Sequence, residues 1–450
     1  MHPIEQQILD TIGLLPSQPI YVAYSGGVDS QVLLHALSQL HSRELIEQHI
    51  TACHIHHGLN SKADEWQQFC LQQAQQRGVA FKTQNVEVTA KKQHSIEALA
   101  REARYQALTQ MVPAQSLLLT GHHQDDQAET LLLALKRGAG ISGLSAMQSQ
   151  TSLFGLSVIR PLLNVSRAEI EAYASDNGLV HIEDDSNADQ RFDRNFIRHS
   201  VLPLLQSRWP SIVQTMNRSS HHCDESQLIL NEVAVDDIQQ IEVEAGALSV
   251  TKLSELSKAR FNNALRYYLK QGFSENPSSG QLLQIAQQCL AGQDKTPEIK
   301  LHHSVIRRFQ DKLFVTPVLE DVSDWHYQLE SLNTLIELPD ALGELTFSQS
   351  RLKPETRCWQ IQLPEPNQKV TIRFSHKNPK CLPDYRQHSQ HLKKVLQELK
   401  IAPWLRKRIP FLYYDDQLVA ALGYFVCKPF VASDGETNLS LYCSFKNKSR

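Results

Sequence analysis

Tyr21-Val22-Ala23-Tyr24-Ser25-Gly26-Gly27-Val28-Asp29-Ser30 reads as a short apolar strand, a glycine turn and the start of a helix. The helix shows in the apolar positions that follow: Val32, Leu33, Leu34, Ala36, Leu37 and Leu40. This arrangement makes an anion site. The first N–H groups of a helix have no internal partner, and the dipole favours negative charge there. The Ser25 and Ser30 hydroxyls can donate to phosphate oxygens, and Asp29 can reach a metal or orient a backbone amide. The stretch lacks the Gly-Lys-Ser/Thr of a Walker loop and the G-x-G-x-x-G of a dinucleotide fingerprint. A plain Gly-Gly turn before an ordinary helix is the bland alternative. The full Ser-Gly-Gly-Val-Asp-Ser string behind a buried strand favours a nucleotide, held by Ser25, Gly26, Gly27, Val28, Asp29 and Ser30.

Outward from this loop, strand candidates at Ile20–Tyr24, Ile50–Ile55, Phe81–Val88 and Ser116–Thr120 alternate with helical stretches at Ser30–Leu40, Ala63–Arg77, Ser95–Met111 and Ala128–Lys136. Such alternation predicts an α/β fold: a doubly wound, mostly parallel sheet over residues 1–215. A mainly helical middle domain is expected over 216–318, a linker of unreadable structure over 319–366, and a small α+β domain over 367–450. Ligands of doubly wound sheets sit at the carboxyl ends of the strands. Three polar clusters fall there: Ser25–Ser30, His54–Asn60, and the string Gly121-His122-His123-Gln124-Asp125-Asp126-Gln127-Ala128-Glu129-Thr130.

His54, His56 and His57 could hold a metal, but no cysteine or carboxylate accompanies them in sequence, which favours a polar loop that contacts adenine or ribose. Asp126 and Glu129 are three apart and share a helix face. Acidic residues suit a helix N-terminus as caps. Two aspartates and a glutamate beside an ATP site otherwise need a cation, either Mg²⁺ or the ammonium of an amine substrate. Arg101 and Arg104 share a face of their helix, either as solvated charges (with Glu97–Arg101 as an i,i+4 pair) or facing triphosphate or RNA. Arg194 and Arg198 share a face directly after the acidic turn Glu183-Asp184-Asp185. Ser166-Arg167-Ala168-Glu169 is a capping box, and Gly138–Gly143 reads as a flexible connection.

The chain of 450 residues carries 45 Lys/Arg against 48 Asp/Glu, a formal charge of −3 that does not announce a nucleic-acid binder. The total hides a local excess: residues 369–408 hold 11 Lys/Arg and 2 Asp/Glu, a balance of +9, with Phe374, Tyr385 and Trp404 interleaved. A folded basic patch of this kind suits a polyanion. Eight cysteines are scattered without a Cys-x-x-Cys pair, and reduced buried thiols are expected. No apolar run approaches the ~20 residues of a membrane span, and the N-terminus has no signal pattern, so a cytoplasmic location is expected.

The loop at Ser25–Ser30 resembles that of the ATP pyrophosphatases, which release pyrophosphate and adenylate a substrate. Taken with the Gly121–Thr130 string, Arg194-Asn195-x-x-Arg198 and the segment Ala402-Pro403-Trp404-Leu405-Arg406-Lys407-Arg408-Ile409-Pro410, nearly the whole chain resembles the tRNA(Ile)-lysidine synthetase family. The resemblance implies a ligase using ATP and Mg²⁺. It would join free L-lysine to carbon 2 of the wobble cytidine in the CAU anticodon of tRNA(Ile), so that decoding changes from AUG to AUA. Asp29, Asp126, Glu129, Arg101 and Arg198 would then form the catalytic set, with Mg²⁺ on Asp29 and Asp126. Arg194, Lys393, Lys394, Arg406, Lys407 and Arg408 would contact tRNA. A tRNA thiolation enzyme of the same fold and a non-catalytic RNA-binding protein are the rival readings, and a homodimer is left open.

Overall fold

The computed structural model describes all residues except 57, 59, 60, 87–95, 290–296, 332–333, 349–357, 433–437 and 446–450, and leaves out the side chains of 96–98, 186, 358, 438 and 445. His57, Asn60, the strand end at Val88, the helix starts and ends at Ser95 and Leu290, Pro354 and the side chains of Glu97 and Cys358 therefore lie outside the described residues. The chain divides into two units, Met1–Ile229 and Leu230–Arg450.

The first unit is built on six strands: β1 (Ile20–Ala23), β2 (Ile50–His56), β3 (Ala80–Asn85), β4 (Leu117–Leu119), β5 (Gln150–Leu153) and β6 (Leu156–Ile159). Their order is β3-β2-β1-β4-β6-β5, parallel throughout except for β5. Alternation along each strand explains why both faces are covered. Ile20, Val22, Ala52, Leu117 and Leu119 enter one core, with α1 (Pro3–Gly13), α2 (Val28–Ser42), α3 (Ala63–Gln76) and, late in the chain, Arg167–Asp176. Tyr21, Ile55, Leu118 and Val158 enter the opposite core, with α4 (Ile96–Met111). The doubly wound sheet expected from the strand–helix alternation is present. The sequence pattern did not show the β5–β6 hairpin. Its outer strand, Gln150-Thr151-Ser152-Leu153, is polar and half-exposed, as an edge strand can be, so no apolar run marks it.

After β4 come α5 (Gln124–Lys136), a short α6 (Ile141–Leu144) inside the glycine-rich connection, and α7 (Arg167–Asp176). The capping box is present at α7: Ser166 Oγ accepts from Glu169 N, and the Glu169 carboxylate accepts from Ser166 N. The segment α8 (Asp193–Phe196), a π-helical turn (Ile197–Val201) and α9 (Leu202–Arg208) then leads into α10 (Ile212–Ile241). Ala128, Ile197, Leu202 and Val213 form a separate small core that fixes this segment against α5.

In the second unit, helices Lys258–Phe273 and Ser279–Cys289 pack on a five-stranded sheet through Phe261, Leu265, Leu269, Leu282, Ile285, Ile306 and Leu313. Residues 319–366 are not a linker. Gly343–Ser348 and Cys358–Gln362 both pair with Asn438–Phe445, and His326–Gln328 pairs with Val370–Arg373. Ile336, Leu345, Phe347 and Ile361 share one core with Ile372, Leu412, Leu439 and Leu441. Short strands bounded by prolines are what this stretch suggests in sequence, but their pairing with strands far along the chain is not visible there.

Candidate active site

Strand order reverses between β1 and β4, and a doubly wound sheet opens its ligand crevice at such a point. The β1 loop and the Gly121-His122-His123 turn meet there. Gly26 has φ +83°, and a Cβ on it would lie 2.5 Å from Ile182 Cδ1 and 2.9 Å from Cys70 Sγ. Gly121 is equally constrained: its Cβ would stand 3.0 Å from the carbonyl carbon and oxygen of Asp29. Gly26 is therefore demanded by its backbone angle and by Ile182 and Cys70, and Gly121 by the close approach of the two loops. Gly27 caps α2 without a side chain, which leaves the helix N-terminal amides facing the crevice. Ser30 Oγ donates to Gly27 O (2.9 Å) and accepts from Gly26 N (3.1 Å). Ser30 thus shapes the loop from within, and Ser25, exposed with its Oγ 3.3 Å from that of Ser30, is the hydroxyl at the surface.

Asp29 stands in the first turn of α2, where Arg167 Nη1 donates to its Oδ1 at 2.9 Å. The N-cap of α5 is His123, whose Nδ1 lies 3.3 Å from Asp125 N and whose Nε2 lies 3.6 Å from Asp29 Oδ1 and 3.5 Å from Asp126 Oδ2. Burial works against a charge on His123, but Asp125, Asp126 and Asp29 outweigh it and lift its pKa above the ordinary value. The pKa values of the two carboxylates near that nitrogen are driven apart. Burial raises Asp29 despite His123 and Arg167. Asp126 falls to about 2, because His123, Arg194, His122 and Arg198 overcome the cost of its burial. Divergent pKa values in one cleft are a mark of a working site.

Glu129 is 0% exposed. Arg194 Nε donates to its Oε2 (2.7 Å), while Arg198 donates through Nε to Oε1 (2.6 Å) and through Nη2 to Oε2 (3.0 Å). The same two arginines reach Asp126 Oδ1 at 3.2 and 3.1 Å. The helix-face spacings anticipated for Asp126/Glu129 and Arg194/Arg198 therefore meet as one four-charge cluster. The cations beside the acidic pair are these guanidiniums. Burial opposes the charge of both arginines, and the carboxylates still raise their pKa values.

His122 is held through Nδ1 by Thr120 Oγ1 at 2.8 Å. Burial, joined by the positive charges of Arg160, Arg194 and Arg101 and resisted by Asp126, holds its pKa down to about 3. Arg101 is exposed, with its guanidinium 5.3 Å from the centre of the Tyr105 ring, and Arg104 feels the charges of both Arg101 and Arg194. The helix-borne arginines thus stand beside the cluster. His54 does not: its Nδ1 is bonded to Tyr24 O (3.0 Å), its ring stacks on Phe81, and it is buried. His56 pairs with Asp64. Among the described residues no group of three or more His, Cys, Asp or Glu is arranged to hold a metal.

Sequence reading missed Arg160, Arg167 and the bridging role of His123. Arg160 is the first residue after β6, so the strand-end rule would have nominated it had the hairpin been seen. Arg167 was visible only as part of a capping box. At the other end of the chain, Lys393, Lys394 and Lys407 are exposed, and Arg406 is half-buried with Nε donating to Ile401 O (2.7 Å). Arg408, expected at the tRNA surface, is instead buried: it donates to Asp340 Oδ2 (2.5 Å) and Glu320 O (2.9 Å). A charged residue in a basic run looks alike in sequence whether it faces solvent or an aspartate 68 residues away.

Family profiles described as PP-loop domain, TilS substrate binding domain and TilS substrate C-terminal domain match residues 1–205, 248–314 and 370–443. The chain is 42% identical to the tRNA(Ile)-lysidine synthase of Proteus mirabilis over 408 residues, covering 90% of this chain and 91% of the relative. It is 42% identical to that of Serratia proteamaculans over 93% of each chain, and 39% identical to that of Edwardsiella ictaluri over 98% of each.

Proposed function

The chain belongs to the tRNA(Ile)-lysidine synthase family, and from that membership we propose how its residues divide the work of an ATP-using ligase acting on tRNA(Ile) with a CAU anticodon. The triphosphate lies against the α2 N-terminus and the Gly26-Gly27 turn, where amides and helix dipole meet developing negative charge. The wobble cytosine O2 attacks the α-phosphorus, pyrophosphate leaves, and an amine of free L-lysine attacks carbon 2 as AMP departs with the oxygen. Adenylation supplies the leaving group that cytosine lacks. Residues 1–215 carry this chemistry. The exposed lysines of 367–450 and the middle segment 216–318 grip the tRNA, in a cytoplasmic enzyme.

One observation carries the reading: Asp29 and the Asp126/Glu129–Arg194/Arg198 cluster converge on one crevice, linked by His123. Asp29 Oδ1 and Asp126 Oδ2 both lie near His123 Nε2, and such hard oxygen donors suit Mg²⁺. These two residues would hold the ion, which supplies charge neutralisation to the phosphates when bound. Arg194 and Arg198 hold Asp126 and Glu129 in place, so that an incoming ammonium finds preorganised carboxylates. The thiolation reading finds no support: Cys53 and Cys70 are buried, and burial pushes both thiols up to about 12, far from a working thiolate. The test is product analysis with ATP and a CAU-anticodon transcript. Pyrophosphate release should need no lysine in a single turnover, whereas AMP release should need it. AMP release that ignores lysine and needs a sulfur donor would overturn the reading.

A further inference from the structure

Arg160 is 3% exposed. Its Nη1 donates to Gln148 O at 2.6 Å, yet its Nε is buried with no hydrogen-bond partner. No ion pair joins it to a carboxylate among the described residues; Tyr105 hydrogen-bonds it, and the positive charge of Arg101 opposes its own. A buried cation without a counter-ion is strongly unfavourable, so a fold that keeps one is built for an anion that arrives later. Its place narrows the choice. Thr120 N donates to Ile159 O (3.0 Å), so Arg160 begins alongside Thr120, the residue that holds His122. His122 in turn feels the charges of Asp126 and of Arg160 and Arg101. Arg160 lies two strands from β1, roughly 10 Å at the usual spacing, on the far side of β4 from the phosphate loop. A triphosphate reaching that far would run beside the carboxylates of Asp126 and Glu129. A zwitterion meets no such conflict: its ammonium faces the acids and its carboxylate faces the arginines.

We propose that Arg160 and Arg101 receive the α-carboxylate of the amino-acid substrate, next to the acidic subsite of Asp126 and Glu129 that takes its amine. The assignment rests on the ligase reading above. The experiment uses the full-length enzyme, ATP and the CAU-anticodon transcript with two nucleophiles: lysine and 1,5-diaminopentane, which is lysine without the carboxylate. Wild type should strongly prefer lysine. Arg160→Gln should raise KM for lysine at least about tenfold, the scale of a lost charge-assisted bond, with KM for ATP and use of the diamine unchanged and with partial rescue by Arg160→Lys. An equal loss with lysine and diamine would reduce Arg160 to a structural role, and a raised KM for ATP would make it a phosphate ligand. Either result overturns the proposal. Should Arg160→Gln fail to fold, exposed Arg101→Gln is expected to give the same selective loss, and an unchanged lysine-to-diamine preference there overturns it equally. A wild-type enzyme that consumes neither nucleophile overturns the ligase reading itself.

Discussion

Arg198 grips Glu129 with both arms of its guanidinium, Nε to Oε1 at 2.6 Å and Nη2 to Oε2 at 3.0 Å. The planar fork matches the carboxylate, and a lysine at 198 could supply only a point charge. Glu129 is wholly buried, so losing this partner is felt more than at a surface pair. Arg198→Lys should lower stability by about 1–3 kcal/mol and cut ligation more than tRNA binding. Urea unfolding and a filter-binding assay on the same preparation separate the two effects. Unchanged ligation would mean that the cluster is only a structural clamp.

Gly26→Ala combines two penalties. The φ of +83° disfavours any Cβ by about 1–2 kcal/mol, and the new methyl would lie 2.5 Å from Ile182 Cδ1. The variant should bind ATP more weakly with tRNA affinity intact. Adding Ile182→Ala should recover part of the loss, the clash but not the backbone strain. Calorimetric ATP titration of the single and double variants is the check, and no recovery would place the whole cost in the backbone.

Three histidines set an acid limit on the first unit. His122, His54 and His35 all have pKa values lowered chiefly by burial, His122 to about 3. The unfolded chain protonates them near the ordinary 6.5 while the folded chain does not, so the unfolded state binds more protons and stability falls as pH drops through 6.5. His123 acts in reverse, because its raised pKa adds stability that is present below 6.5 and lost as pH rises through the folded value. Asp126, held to about 2, gives up its contribution only as pH falls below its ordinary 3.8 towards that value. The melting temperature should therefore fall from pH 7.5 to 5.5, with a shallower slope in His54→Gln. An identical slope in that variant would show that His54 does not take part.

The basic run near the C-terminus divides into two kinds of residue. Replacing exposed Lys393, Lys394 and Lys407 by Ala should weaken tRNA binding and flatten its salt dependence by about one unit per lost phosphate contact. Arg408→Ala should instead destabilise the fold, since it removes a buried guanidinium that pairs with Asp340 and bonds Glu320 O. If Arg408→Ala left the melting temperature alone and flattened the salt slope, the two roles would have been exchanged.

The fold was legible where periodicity and punctuation were strong. β1, α2 and α5 followed from apolar spacing, the glycine turn and acidic capping. The parallel order followed from strand–helix alternation, and two of the three strand-end clusters, Ser25–Ser30 and Gly121–Thr130, meet in one crevice, while His54 and His56 are engaged elsewhere. What stayed hidden depends on partners distant in sequence. Nothing near Arg408 announces Asp340, and nothing near Arg167 announces Asp29, 138 residues away. Ser30 looked like a phosphate donor because a hydroxyl beside Gly-Gly suits both roles, and only the loop's own curvature brings it to Gly27 O. The acidic pair was rightly read as needing a cation, and spacing alone could not say that Arg194 and Arg198 would supply one.

The most direct measurement is incorporation of radiolabelled lysine into a tRNA(Ile) transcript bearing CAU, with Asp29→Ala as the paired variant. Wild type should form one lysine–tRNA bond for each ATP converted to AMP and pyrophosphate. Asp29→Ala should bind the same tRNA yet release little pyrophosphate. Absence of label from the tRNA despite ATP cleavage would contradict the ligase assignment, and equal loss of tRNA binding and pyrophosphate release in Asp29→Ala would contradict the place given to Asp29 at the triphosphate.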